Sequence, residues 1–134
     1  MRLSENAICN GGQWLADKLA FGAFIQLYQW QMPAEPEGLL LALGCLVRIE
    51  LPDAPFVYEP DDDPKYVLMR QRLSPWIGRA ATGGIANFGL LISSSGDVCA
   101  QFYCDTEMLF PSRQVKKNAV VTINKFDLRI NAKG

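Results

Sequence analysis

Residues 86–104 read ANFGLLISSSGDVCAQFYC, and they give the clearest indication of the fold class. Two apolar runs, 86–92 and 98–104, flank the short polar segment Ser-Ser-Ser-Gly-Asp. Apolar runs of this length on either side of a serine- and glycine-containing loop are typical of a β-hairpin. We therefore predict two antiparallel strands joined by a tight connection at residues 93–97.

Further β signals extend outward from this hairpin. On its N-terminal side, residues 24–30, 39–51 and 66–73 are rich in aromatic and branched side chains. On its C-terminal side, residues 119–130 predict a long closing strand. Its apolar positions change parity near Asn124, which indicates either a bulge or a strand that passes from one sheet to another.

Two segments depart from the β pattern. Residues 4–20 predict a short helix that begins at Ser4, although Gly11-Gly12 weakens it. The segment from Pro52 to Pro64 contains four prolines and three consecutive aspartates, so we predict an exposed arm without regular structure. The chain as a whole, 1–134, is predicted to be one domain that is mostly β. Its expected fold is an antiparallel β-sandwich or jelly roll with one short N-terminal helix.

Length and composition agree with a single globular domain. The chain has 134 residues, of which 49% are hydrophobic and 20% are charged. Its longest apolar run, Leu39 to Val47, is shorter than the roughly 20 residues that a membrane helix needs. The first residues also lack the apolar core of a signal peptide. We therefore predict synthesis in the cytoplasm and no membrane association.

The composition disfavours an enzyme. The chain has no histidine, which removes the commonest general base and every serine–histidine or cysteine–histidine pair. No Gly-Lys-Ser/Thr phosphate loop occurs. The hydroxyl groups of Ser93–Ser95 have no base available, so they fit a turn better than a nucleophile. We predict a protein with no catalytic activity, no catalytic residues and no cofactor.

A metal site is considered at the acidic run Glu59-Pro60-Asp61-Asp62-Asp63. Carboxylate oxygens are the ligands that calcium prefers. However, the run lacks the alternating spacing and the central glycine of a helix-loop-helix calcium site. A solvated loop is the favoured interpretation, and we predict no metal.

The four cysteines, at positions 9, 45, 99 and 104, contain no Cys-x-x-Cys motif. Cys99 and Cys104 lie five residues apart in a predicted strand, which places them about 16 Å apart on opposite faces. A disulfide needs Cα atoms within about 7 Å, so we expect these two not to pair. Their parity predicts that Cys104 is buried and that Cys99 faces outward or toward a neighbouring subunit. All four are expected to be reduced thiols when the protein is made.

Charge is unevenly distributed along the chain, although the net charge is only −1. Asp61, Asp62 and Asp63 make the middle acidic, whereas the tail from Pro111 carries six basic residues against one acidic residue, including Arg113, Lys116 and Lys117. Nucleic-acid binding is one interpretation, but aromatic residues are sparse in the tail and no nucleic-acid partner is expected. Solvated strand faces are the simplest alternative. The third interpretation is that these segments of opposite charge let subunits contact each other or a common partner.

The three tryptophans, Trp14, Trp30 and Trp76, are most simply core residues. Trp76 follows Pro75 at a predicted loop, so it is the one we expect at an interface. A carbohydrate-binding sandwich is a competing hypothesis, with Trp30, Tyr28 or Trp76 as stacking platforms.

The order of these features resembles small virion structural proteins of tailed bacteriophages. Those chains open with a short helix, enter a strand that ends in an aromatic residue, and continue through a proline-rich link. The stretches GLLLA at 38–42, ATGGIANFGL at 81–90 and SGD at 95–97 are similar to that family's later segments.

The resemblance implies a non-enzymatic capsid decoration or cement protein located in the virion. The alternatives are a tail or neck component, or a small phage-encoded host-interaction or inhibitor protein. The implied partners are further copies of the chain and other virion proteins, namely the major capsid protein or tail proteins.

Overall fold

The structure is a computed structural model of the chain, and it describes residues 2–3, 14–29, 45–73, 75–104 and 114–131. Within these ranges the chain forms one short helix, α1 (14–19), and twelve strands. The strands are β1 (Arg2–Leu3), β2 (Phe24–Tyr28), β3 (Cys45–Glu50), β4 (Phe56–Pro60), β5 (Tyr66–Gln71), β6 (Trp76–Ala80), β7 (Gly84–Ile85), β8 (Phe88–Ile92), β9 (Val98–Tyr103), β10 (Gln114–Val115), β11 (Val120–Ile123) and β12 (Asp127–Asn131).

The described strands form three antiparallel sheets. The large sheet has the order β1-β9-β8-β2-β3-β6-β11, the small sheet has the order β12-β5-β4, and β10 pairs with β7. The prediction of a mostly β, antiparallel fold with one short helix is confirmed, and the arrangement is sandwich-like. The jelly-roll alternative is not confirmed. The helix in the described ranges is not long and apolar enough to cross a membrane.

Aromatic side chains from both sheets meet in one core. The ring of Phe126 lies 4.8 Å from Phe102 and 6.1 Å from both Phe56 and Trp76, measured between centroids. All four side chains are buried, as is Leu15 of α1. Burying each such side chain contributes about 1.5–3 kcal/mol, so this cluster is a main source of stability.

The predicted hairpin and the predicted sheet crossing are both observed. Strands β8 and β9 pair across the turn at 93–97, where Gly96 has a φ of +91°. Strand β11 pairs with β6 in the large sheet, whereas β12 pairs with β5 in the small sheet. The parity change near Asn124 therefore marks a chain that passes from one sheet to the other, with buried Phe126 at the crossing.

The prediction of an irregular arm from Pro52 to Pro64 is wrong for its central part. Strand β4 occupies Phe56–Pro60 and forms a hairpin with β5. The prolines disfavour a strand in the sequence, but Pro55 precedes β4 and Pro60 is its last residue. Because β4 is an outer strand of its sheet, the missing N–H group of Pro60 can be tolerated there.

The prediction that Cys99 faces outward is also wrong. Both Cys99 and Cys104 are buried in the main core. In the β8–β9 ladder Leu91 pairs with Ala100 but Ile92 pairs with Val98, so Cys99 is an extra residue at a bulge. A bulge breaks the strict alternation of faces, so residue parity, which holds for a regular strand, does not give the facing of Cys99.

Several predicted segments lie outside the described residues. The helix predicted for 4–20 is observed over 14–19, and residues 4–13 lie outside the described ranges. The same holds for 39–44 of the second predicted strand, for Cys9, for Trp30 and for Arg113.

Candidate functional site

The three aspartates of the predicted interface lie in the turn between β4 and β5. The N–H group of Asp63 donates to Asp61 Oδ1 at 3.0 Å, and the N–H group of Lys65 donates to Asp63 Oδ1 at 3.0 Å. These bonds follow from the tendency of aspartate side chains to satisfy nearby backbone donors in turns. Asp61 and Asp63 therefore build the turn, and Asp62 is left exposed at its tip.

Asp61 is also bound by Arg129 of β12. The guanidinium group donates from Nε to Asp61 Oδ2 at 2.9 Å and from Nη2 to Asp61 Oδ1 at 3.2 Å. These side-chain hydrogen bonds hold the pKa of Asp61 below its usual value. The same guanidinium lies 4.0 Å from the centre of the Tyr66 ring. One of the three aspartates is thus already engaged by the chain's own C-terminal strand.

No metal site is formed by the described part of the chain. Among those residues, no group of three or more cysteine, aspartate or glutamate side chains is placed to hold an ion. The acidic turn instead uses its oxygens to accept the backbone and arginine hydrogen bonds given above.

The basic residues Lys116 and Lys117 lie in the turn between β10 and β11, and both are exposed. The turn is closed by a hydrogen bond from the N–H group of Ala119 to Lys116 O at 2.9 Å. Arg79 of β6 donates from Nη1 to Asn118 O at 2.7 Å, which adds a third cation beside this turn. No ion pair among the described residues joins this basic turn to the acidic turn.

Trp76 is a core residue, which corrects its prediction as an interface residue. Its side chain is only 2% exposed, and its indole N–H donates to Arg72 O at 2.9 Å. It packs edge-on against Phe56, whose centroid lies 5.5 Å away. The neighbouring Pro75 does not predict whether Trp76 is exposed, because the residues that bury Trp76 come from distant parts of the sequence.

Two of the three aromatic residues considered as platforms for stacking a sugar are buried. Trp76 is in the core, and Tyr28 is buried and stacked on Phe88, with 5.0 Å between centroids. Neither ring face is available to a sugar. The third platform, Trp30, lies outside the described residues.

Exposed apolar side chains on two outer strands were missed by the sequence analysis. On β4, Val57 and Tyr58 are 42% and 43% exposed; on β11, Val120 is 54% exposed, beside Ile77 of β6 at 55%. The only sequence signal was the presence of apolar residues on both faces of short strands. The structure shows that β4 pairs only with β5 and β11 only with β6 among the described strands.

Comparisons of the chain with family models, with curated proteins and with solved structures find no match. The two outer strands and their turns offer backbone hydrogen-bonding groups, apolar side chains and opposite charges. These are the means by which a protein surface binds another protein.

The thiols give a test of the described core. Burial raises the pKa of Cys99 to about 11 and also raises that of half-buried Cys45. Because the thiolate is the reactive form, we expect maleimide to modify Cys45 faster than Cys99 or Cys104 in the native protein. Site-resolved mass spectrometry measures the three rates, and faster modification of Cys99 than of Cys45 would contradict the bulge.

Proposed function

We propose that this protein is a non-enzymatic structural component of a tailed-bacteriophage particle, a decoration or cement protein that stabilises the capsid through subunit contacts. The observation that carries the proposal is the pair of outer strands β4 and β11, on which Val57, Tyr58 and Val120 remain exposed. The proposed location in a phage particle rests on the resemblance of the stretches at 38–42, 81–90 and 95–97 to virion proteins.

The surface chemistry supports a role in contact. Isolated exposed apolar residues are common, but Ile77 and Val120 lie close together, because Ile77 pairs with Thr122 and Arg79 pairs with Val120 in adjacent strands. An outer strand with exposed backbone groups tends to add a further strand unless it is protected. Strand β11, which reads Val-Val-Thr-Ile, contains no charged residue and no proline to protect it.

The hydroxyl cluster that a hydrolytic enzyme would need is used structurally. The hydroxyl groups of Ser93 and Ser95 lie 2.9 Å apart, and Ser95 donates to Asp97 at 3.0 Å. Asp97 also accepts a bond from Lys18 of α1 at 3.2 Å. This network ties the hairpin turn to the helix, which supports a structural use of these residues.

The proposal is tested by deleting the gene and measuring the thermal stability of the resulting particles. We expect the particles to release their nucleic acid at a lower temperature, and added wild-type protein to restore the original temperature. Val120→Lys protein should fail to restore it, because a lysine at this position would block the apolar contact. The matched control is Phe21→Lys, since Phe21 is 69% exposed and lies outside both outer strands.

Two outcomes would redirect the assignment. Particles that lack a tail or neck, with capsids of normal stability, would support the tail or neck alternative. Particles that are normal in every respect would contradict a structural role and favour the host-interaction alternative.

A further inference from the structure

Strands β4 and β11 have charged ends of opposite sign. Strand β4 leads at its C-terminal end into the acidic turn with exposed Asp62, and β11 follows the basic turn with Lys116 and Lys117 at its N-terminal end. At their other ends, β4 follows exposed Asp53 and β11 leads to exposed Lys125. Between these charges Val57 and Tyr58 of β4 and Val120 of β11 are exposed.

We propose that the β4 edge of one copy pairs antiparallel with the β11 edge of a second copy. This inference rests on the proposed function and names its partner as another copy of the same chain. The pairing continues the small sheet of one molecule into the large sheet of the next. Strand addition of this kind is a common mode of protein recognition.

Antiparallel pairing, which is the direction of every described strand pair, places opposite charges together at both ends. It brings the acidic end of β4, with Asp62, to the basic end of β11, with Lys117. At the far end it brings Asp53 to Lys125. Lys125 lies 4.0 Å from Asp127 in its own chain, and its side chain is 64% exposed, so it remains accessible to a second carboxylate.

The alternative of a twofold β11–β11 pairing has the opposite electrostatics. Two antiparallel β11 strands would bring the Lys116–Lys117 end of each copy to the Lys125 end of the other. Like charges across an interface oppose association. The charge pattern therefore favours the unlike pairing of β4 with β11.

The other four outer strands are poorer partners. Strands β1, β7 and β10 have only two residues each, and β12 carries Asp127 and Arg129 within its five. Short strands and charges protect a sheet edge from pairing. In β4 the only proline is the last residue, so Phe56–Glu59 keep their N–H groups, and its one charged residue, Glu59, is paired with Arg70 of β5.

An unlike pairing has a structural consequence. Each copy carries one β4 edge and one β11 edge, so contacts propagate head to tail and close into a ring or continue as a filament. Because its ends are ionic, the assembly should weaken with salt. Raising the ionic strength from about 0.1 M to about 1 M shortens the screening length from about 10 Å to about 3 Å.

The test uses two charge-reversal variants of the full chain, Lys116→Glu/Lys117→Glu and Asp62→Lys, with mass measured by sedimentation at several concentrations. Alone, each variant should associate at least about tenfold more weakly than wild type, because each makes its two edges alike in charge. Mixed in equal amounts, the two should regain assembly, because the acidic edges of Lys116→Glu/Lys117→Glu meet the basic edges of Asp62→Lys. Far-ultraviolet circular dichroism checks that both variants are folded.

The matched control compares two single substitutions that alter the net charge equally, Lys117→Glu and Lys65→Glu. Lys65 is exposed beside the acidic turn, so its reversal should not weaken assembly. Three results would overturn the proposal: a wild-type chain that is monomeric at low salt, variants that assemble as wild type does, or a mixture that stays monomeric. Stronger association of Lys116→Glu/Lys117→Glu would instead indicate the twofold β11–β11 pairing and would also overturn it.

The two proposals fail in different ways. A monomeric chain that still restores particle stability would overturn the pairing of copies and leave the proposed function standing. A chain that assembles as described but is absent from particles would overturn the proposed function and leave the pairing of copies standing.

Discussion

Replacing Phe126 with alanine should lower the free energy of unfolding by about 3–5 kcal/mol. The side chain is fully buried where the chain crosses from β11 to β12, and its ring contacts aromatic rings from both sheets. Alanine would leave a cavity between the sheets that the surrounding rings cannot fill completely. Urea denaturation monitored by tryptophan fluorescence measures the change, because Trp76 lies beside the cavity.

Phe21 provides the matched control for this prediction. It is the same residue type, but it lies in the turn after α1 and is 69% exposed. Phe21→Ala should change the free energy of unfolding by no more than about 0.5 kcal/mol. Equal effects of the two substitutions would contradict a core built between the sheets at Phe126.

Substitution of Gly89 by alanine should be the second large effect, with a loss of about 1–3 kcal/mol from overpacking. Gly89 pairs directly with Phe102 of β9 and with Leu27 of β2. A Cβ atom at position 89 would clash with Phe102 Cζ, because the two atoms would be closer than van der Waals contact allows. It would also lie only 2.9 Å from Leu27 Cδ2. The aromatic ring of Phe102 occupies the space that a side chain would need.

A double-mutant cycle tests whether this contact is the cause. Phe102→Leu removes the ring atoms nearest to Gly89, so Gly89→Ala should cost less in that background than in the wild-type background. The two free-energy changes should therefore not be additive. Additive effects in denaturation experiments would show that the ring of Phe102 does not limit the size of residue 89.

Local sequence patterns predicted those parts of the fold that depend on local residues. The hairpin of β8 and β9 has apolar strands and a serine-glycine turn next to each other in the chain. The crossing from β11 to β12 is visible because apolar parity changes within a few residues of Asn124. Each signal lies in a single continuous stretch, but the parity change allowed either a bulge or a crossing, and the pairing of β11 with β6 and of β12 with β5 decides for the crossing.

Features that depend on pairing or on distant contacts were missed. Strand β4 was hidden by Pro55 and Pro60, which are tolerated only because of their positions at the ends of an outer strand. Cys99 is buried through a bulge that is defined by its partner strand β8. Trp76 packs against Phe56 and Phe126, and both residues are distant from Trp76 in the sequence, so local pattern could not predict these contacts.

The charged residues of the candidate site could be named from the sequence, but the outer strands beside them could not. The acidic and basic residues Asp62, Lys116 and Lys117 are exposed, as an interaction between subunits requires. The outer positions of β4 and β11 could not be read from the chain, because strand order is set by pairing over long distances in sequence. The apolar residues Val57 and Val120 gained their significance only once those strands were placed at the sheet edges.

The most direct test of the proposed structural role is the number of copies of this chain in purified particles. Quantitative mass spectrometry of particles separated from the lysate by density gives the ratio of this chain to the major capsid protein. A decoration or cement protein is expected in many copies and at a fixed ratio that persists through repeated purification. The chain's absence from washed particles, with abundant protein left in the lysate, would contradict the proposal.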